Sequence, residues 1–317
     1  MPKFHRRVMV FDTETSGLMP KHKFGTAFPP MEAYPHIMQI SWIVYNVSSN
    51  VIEEVVDEYV QIPDTAEISP ESIQVHGITR EIAKEKGKPI APLLAKFFLA
   101  YMKCDCIVAH NLQFDSELVR KEMWRNKKEL ERVVPSKERV NMMCGVFTKK
   151  FNAAYYIDTF CTMMNTIQFC GIEFVAKPKP LPDLGKIVDS SDAAELREPV
   201  VELKEPVAEL REPAVELKGL KEPAVELKEP EVGPMGLKEP AVELKEPAVG
   251  PPPATSRKKF PRLNELYAKL FDTPLPADMH NSIVDVLVCL RCFLKVRGAK
   301  EMSEDDFLEL VKKHSRG

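Results

Sequence analysis

The apolar run Val8–Thr13 is short and stops at Ser16-Gly17, which predicts a strand ending in a turn. Two further strands are predicted at Ile37–Tyr45 (IMQISWIVY) and Val51–Gln61 (VIEEVVDEYVQ). Asn46–Asn50, made of Asn, Val and Ser, suits a hairpin turn between them, so the first three strands read as an antiparallel meander. Helical spacing follows at Pro70–Val75, at Thr79–Lys86 with Thr79 as N-cap, and at Pro92–Met102. Cys106–Ala109 is a short buried strand that feeds a long amphipathic helix from about Phe114 to Asn126. A fifth strand is placed at Tyr155–Asp158 and a helix at Thr162–Phe169.

The pattern then changes. From Glu195 to Val249 the unit ELKEPAV recurs with small variations and truncated copies. A period of seven suggests a coiled coil, but each unit carries a Pro, which removes a backbone donor and costs about 3 kcal/mol inside a helix. The Glu before that Pro is also steered away from helical geometry. The tract therefore reads as an extended, charge-mixed tether, mostly disordered. Helical patterning returns at Leu263–Phe271, His280–Val296 and Ser303–Lys312, where Ser303 and Asp306 stand at capping-box spacing. Closing a loop costs only about 0.6 kcal/mol per doubling of its length, so a surface loop can carry an insert of this size. The expected organisation is a discontinuous body of 1–175 and 257–300, a linker over 176–256, and a C-terminal helix within 301–317.

Charge changes this picture little until it is divided along the chain. The net charge of the 317 residues is −3, but the repeat tract holds 14 Glu against 8 Lys or Arg. The tract alone carries −6, leaving the remainder at +3, which suits a surface that grips a polyanion. Seven cysteines without disulfide-framework spacing indicate a reducing, intracellular setting, with cytoplasm and nucleus not distinguished. Cys289 and Cys292 form a CxxC inside an apolar helical stretch, and core packing is the expected role. No signal peptide is visible, and no apolar run reaches the ~18 residues of a membrane span, so a soluble protein is expected.

Three acidic constellations stand near element ends. Asp12 and Glu14, in FDTETSGL, lie two apart on a strand and so share a face. Asp115, in HNLQFD, opens a helix directly after a buried strand; Asp285, in HNSIVD, lies near the start of another, five residues after His280. Each alone reads as a solvated strand face or a helix-start charge. Together, four carboxylates that would repel one another are what a pair of divalent, oxygen-seeking cations requires. A nearby His can take a proton from attacking water.

FDTETSGL, HNLQFD and HNSIVD resemble, in order and setting, the three motifs of the DnaQ-like, or DEDDh, 3′→5′ exonucleases. The resemblance covers roughly 7–175 and 257–297, and extends to VHGIT at 75–79, to Ile157-Asp158-Thr159 and to KFPRLNELYAKLF at 259–271. It implies an α/β, ribonuclease H-like fold: a mixed five-stranded sheet, three strands antiparallel and two parallel, flanked by helices. It implies Asp12, Glu14, Asp115 and Asp285 as ligands of two Mg²⁺ ions, for which Mn²⁺ can substitute. His280 matches the general base of the His subclass; the Tyr subclass would place Tyr where Asn281 stands. Thr13, Leu18, His76, Asn111 and Phe114 are implied at the substrate, Leu18 as a wedge against the terminal base. Two departures are Ser282, where Ala is usual, and a longer loop over Met19–Pro35 at the entrance to the site.

The implied substrate is a nucleic acid with a free 3′ end, cleaved to nucleoside 5′-monophosphates. DNA is favoured over RNA because the stretches at 75–79 and 259–271 look most like the DNA-acting members. An exoribonuclease of the same fold is one rival; an inactive scaffold that docks a protein partner through the repeat tract is another. Backbone-gripping candidates are Arg120, Lys121, Arg125, Lys127 and Lys128 after the second motif, and Arg257, Lys258, Lys259 and Arg262 before the third.

Overall fold

The structure, a computed structural model, describes residues 5–22, 27–173, 258–275 and 280–314. The chain divides into Met1–Ala176 with Ser256–Gly317 and, separately, Lys177–Thr255. The second unit lies outside the described residues, as do the repeat tract, the whole of the expected linker, and Arg257. All of the described residues belong to the first unit.

Its sheet comprises β1 (Arg7–Thr15), β2 (Ile37–Asn46), β3 (Val51–Tyr59), β4 (Cys106–Ala109) and β5 (Asp158–Cys161), in the order β3-β2-β1-β4-β5. β1, β2 and β3 are antiparallel neighbours, and β4 and β5 run parallel to β1. This is the mixed, ribonuclease H-like sheet expected from the sequence. Helices α1 (Pro70–His76), α2 (Arg80–Lys86) and α3 (Ile90–Met102) follow the meander. After β4 come α4 (Leu112–Arg125), α5 (Lys127–Val133), α6 (Lys137–Cys144) and α7 (Lys149–Ala154). The short α8 (Thr162–Asn165) and α9 (Ile167–Cys170) follow β5, and α10 (Leu263–Phe271), α11 (Ser282–Val296) and α12 (Glu304–His314) complete the described unit.

Period-two alternation in β1 sends Met9 and Phe11 into one core, against Leu94 and Phe97 of α3 and Leu118 and Val119 of α4. Val8 and Val10 face the other core, against α10, α11 and Phe307 of α12. With helices on both faces, a parallel strand must be apolar throughout, as β4 is. α11 is buried on nearly every side, including Leu287 and Leu290, each worth about 1.5–3 kcal/mol of burial. Cys289 and Cys292 are part of that core, and burial pushes both thiols well up.

Three expectations need correction. β5 begins at Asp158 rather than Tyr155, because Tyr155 ends α7 and Tyr156 turns the chain with φ 55°. The helix expected over Thr162–Phe169 is two pieces, interrupted at Thr166. α11 starts at Ser282, and His280 lies before it with φ 75°. Helices α5, α6 and α7 were not expected at all, although Ser136 and Thr148 cap two of them with hydroxyls. No helix among the described residues is long and apolar enough to cross a membrane.

Candidate active site

Asp12 and Glu14 share the face of Val8 and Val10, which turns them toward the start of α11. The pairing of β1 with β2 slips between Glu14 and Thr15, where Met38 is the extra residue, so the strand is re-aimed at this point. Asp285 sits in the first turn of α11, and Ser282 donates its hydroxyl to the backbone carbonyl of Asp12 at 3.0 Å. That bond ties the helix start to the strand. Asp12, Glu14 and Asp285 each present an oxygen within 4.8 Å of the others. Asp115, in the first turn of α4, is 4% exposed and accepts the Thr13 hydroxyl at 2.7 Å. It lies outside that closest trio, yet its charge acts on both Glu14 and Asp285.

Four acids so placed resist ionising together. Burial first, then the charges of Asp12, Asp285 and Asp115, push Glu14 up to about 10. Burial raises Asp12 to about 6 against the pull of hydrogen bonds from Ser282 and Thr13. Asp115 and Asp285 are raised well above the usual carboxylate range by burial and then by Asp12. One Asp285 oxygen, Oδ2, accepts the His280 backbone N–H at 3.2 Å. The other, Oδ1, is buried without a hydrogen-bond partner among the described residues, a state that normally costs about 1–3 kcal/mol. Oxygen-only donors, mutual repulsion and an unpartnered acceptor fit a hard divalent cation such as Mg²⁺ or Mn²⁺.

The remaining sequence-picked residues differ in placement. The His280 side chain is exposed, and its left-handed backbone stores about 1–3 kcal/mol of strain. His76 Nδ1 accepts the Ile78 N–H at 3.0 Å, so Nε2 carries the proton and donates to the Thr15 carbonyl at 3.0 Å. Both ring nitrogens of His76 thus serve the backbone, holding the end of α1 against the end of β1. Burial, with the nearby His280, lowers its pKa. Leu18 is 85% exposed beyond β1. Asn111 precedes α4 and its carbonyl accepts the Phe114 and Asp115 N–H groups, with Phe114 half-buried alongside.

Arg125 is not a free cation. It pairs with the buried Glu122 and donates to the carbonyls of Met31, Tyr34 and Pro35, stapling the Met19–Pro35 loop to α4. The foot of that loop is closed by Ser16 and His36, which exchange two hydrogen bonds. Lys259 is paired with Glu265, and Lys258 with Gln168. Sequence reading missed the Glu122–Arg125 network, for which the spacing of three was the available signal. It also missed His110, whose Nδ1 meets the Thr162 hydroxyl at 2.9 Å and whose Nε2 meets the Pro261 carbonyl at 3.0 Å. His110 thereby fastens the segment before α10 to the end of β4. Two surface concavities, one around His5, Asp158 and Arg297 and one around Gln61, Arg80 and Arg125, contain none of the four acids.

An exonuclease family model, RNase_T, matches residues 9–168 of the 317. No curated protein matches the chain in sequence. Similar solved structures include E. coli exonuclease I in complex with a dA16 oligonucleotide, 18% identical over 54% of this chain and 32% of that one, TM-score 0.38. A zinc-bound E. coli exonuclease I–single-stranded DNA complex is 20% identical over 54% and 32%, TM-score 0.38. Apo exonuclease I is 18% identical over 54% and 33%, TM-score 0.39. The chain spans about a third of the length of these proteins.

Proposed function

The chain belongs to the RNase_T exonuclease family, and from that premise we propose that it is a divalent-metal-dependent 3′→5′ exonuclease. It releases nucleoside 5′-monophosphates from a strand with a free 3′ end, DNA in preference to RNA. The observation that carries this reading is the trio of carboxylate oxygens within 4.8 Å, one of whose residues keeps a buried, unpartnered oxygen. Repulsion in such a cluster persists in a fold only where something else relieves it.

Asp12, Glu14, Asp115 and Asp285 would hold two Mg²⁺ ions, or Mn²⁺ in their place. Metal bound there would supply Lewis-acid chemistry: activation of water and neutralisation of charge on a leaving oxygen. His280 would accept a proton from attacking water; its ring is exposed to solvent and its backbone N–H is held by Asp285. Thr13 orients Asp115, and Ser282 fixes the distance between β1 and α11. His76 holds the turn after β1 in place, so its effect on substrate runs through Thr15. Leu18 is free to wedge against the terminal base, and Asn111 and Phe114 line the approach.

The test is digestion of 5′-labelled DNA and RNA strands of matched sequence, with Mg²⁺ and with chelator, by the wild type and by Asp12→Ala. The expected result is a ladder shortening from the 3′ end, faster on DNA, lost with chelator and with the substitution. A faint signal identical in Asp12→Ala would mark a contaminant and leave the scaffold reading. Faster digestion of RNA would make the protein an exoribonuclease.

A further inference from the structure

α4 has two faces. Leu118, Val119, Glu122 and Met123 are buried, while Glu117, Lys121 and Trp124 recur at three- and four-residue spacing on the other side. The helix starts at the acids, since Asp115 belongs to its first turn. Trp124 lies nine residues further on, ~13.5 Å along the axis.

Trp124 is 45% exposed, whereas the only other tryptophan, Trp42, is fully buried. The Lys127 ammonium stands 5.4 Å from the Trp124 ring centroid, and Lys121 stands 3.9 Å from that of Tyr34. Lys128 follows on the exposed side of α5. A large indole left in water beside an ammonium group is poor packing but a good seat for a flat ring carried on a polyanion. A duplex hides the faces of its bases, so this seat suits an unpaired strand.

We infer that the outer face of α4 carries the unpaired strand upstream of its 3′ end, with Trp124 stacking a base and Lys121, Lys127 and Lys128 beside the phosphates. The polarity of this path rests on the proposed exonuclease reading; the contact itself does not. At about 3.4 Å per stacked nucleotide, the distance from Asp115 to Trp124 spans about four nucleotides. Only substrates longer than that engage the tryptophan.

Two measurements test this. In the absence of divalent metal, a thymidine oligonucleotide is titrated into the full chain while tryptophan fluorescence is followed; buried Trp42 gives a constant background. Quenching is expected in the wild type and absent in Trp124→Ala; affinity, read from the anisotropy of a dye-labelled oligonucleotide, should fall roughly tenfold in that variant and be largely retained in Trp124→Phe. A blunt duplex should not quench. Hydrolysis of the p-nitrophenyl ester of thymidine 5′-monophosphate, which has no upstream nucleotide, should be unchanged in Trp124→Ala, while KM for the oligonucleotide rises. Absent quenching, equal quenching by duplex, or an equal loss on ester and oligonucleotide would overturn the inference. Failure of the wild type to hydrolyse either substrate would instead defeat the exonuclease reading, and the titration would still decide whether the strand lies on α4.

Discussion

Asp115 and Glu122 are both buried on α4, seven residues apart, at 4% and 1% exposure, yet their surroundings are opposite. Glu122 accepts from Arg125, from the Asn126 amide at 2.8 Å and from the Ile37 N–H at 3.4 Å. Arg125 spends its other donors on the loop carbonyls, so that centre is closed and satisfied. Asp115 has the Thr13 hydroxyl and, beyond it, three more carboxylates. Stability builds the first arrangement, in which each charge finds a partner and a loop is fixed in the process. The second keeps its acids close together, with hydrogen bonds from Ser282, Thr13 and His280 that only partly offset burial and mutual repulsion. The difference separates a carboxylate whose charge is fully partnered from one whose charge is not, which is what the proposed cation site requires.

The largest expected effect breaks the second centre. Asp285→Asn should lower exonuclease activity on the order of a thousandfold. In chelator the same variant should be more stable than the wild type, by about 1–3 kcal/mol, because one like charge has gone. Thermal melts with and without Mg²⁺ check this: the ion should raise the wild-type midpoint and barely move that of the variant. A variant less stable than the wild type in chelator would show that the acids are not in repulsion.

Glu122→Gln should show the mirror image. It leaves the half-buried Arg125 guanidinium without its counter-charge, which costs up to about 3 kcal/mol. Chemical denaturation should record that loss equally with and without Mg²⁺, while turnover of the nitrophenyl ester changes much less than stability. If the ion rescued the stability of Glu122→Gln, the two centres would not be independent.

How far the sequence reached follows the same division. The acids were legible because chemistry restricts them to Asp and Glu at strand ends and helix starts, and the strands because β-branched runs leave few alternatives. The partnered centre was not legible: Arg125 in a basic stretch looks like a surface cation until Met31, Tyr34 and Pro35 are seen around it. The start of β5 was misplaced because Tyr156 adopts a left-handed backbone that its residue type does not announce. His280 was placed in a helix by its neighbours' apolar pattern, and φ 75° takes it out.

His110 extends the comparison to a buried imidazole that is fully partnered. Burial lowers its pKa to about 4, against the push of the Pro261 carbonyl the other way. The folded protein therefore keeps it neutral while the unfolded chain protonates below about 6.5. Stability from this residue is complete above that pH and is lost as pH falls toward about 4, by up to about 3 kcal/mol. His110→Gln should flatten the pH dependence of unfolding in that window relative to the wild type. Parallel profiles would show that the ring is not sequestered.

The smallest effect is expected where neither centre reaches. Every partner named in the two carboxylate centres lies outside residues 174–257. The residues flanking that segment meet: Glu173 and Lys258 form an antiparallel bridge, and the Lys259 N–H donates to the Ile172 carbonyl at 2.8 Å. A paired couple of this kind can be joined by a two-residue Asn-Gly turn, whose backbone twist matches antiparallel neighbours. Replacing 174–257 by Asn-Gly should therefore leave the sheet, both centres and ester hydrolysis intact. Shortening the closed loop removes between five and six doublings of its length, worth up to about 3 kcal/mol of added stability. Chemical denaturation and ester turnover of the shortened chain measure both quantities. A loss of folding, or of Mg²⁺-dependent stabilisation with the fold retained, would show that the removed segment supports the acid cluster after all.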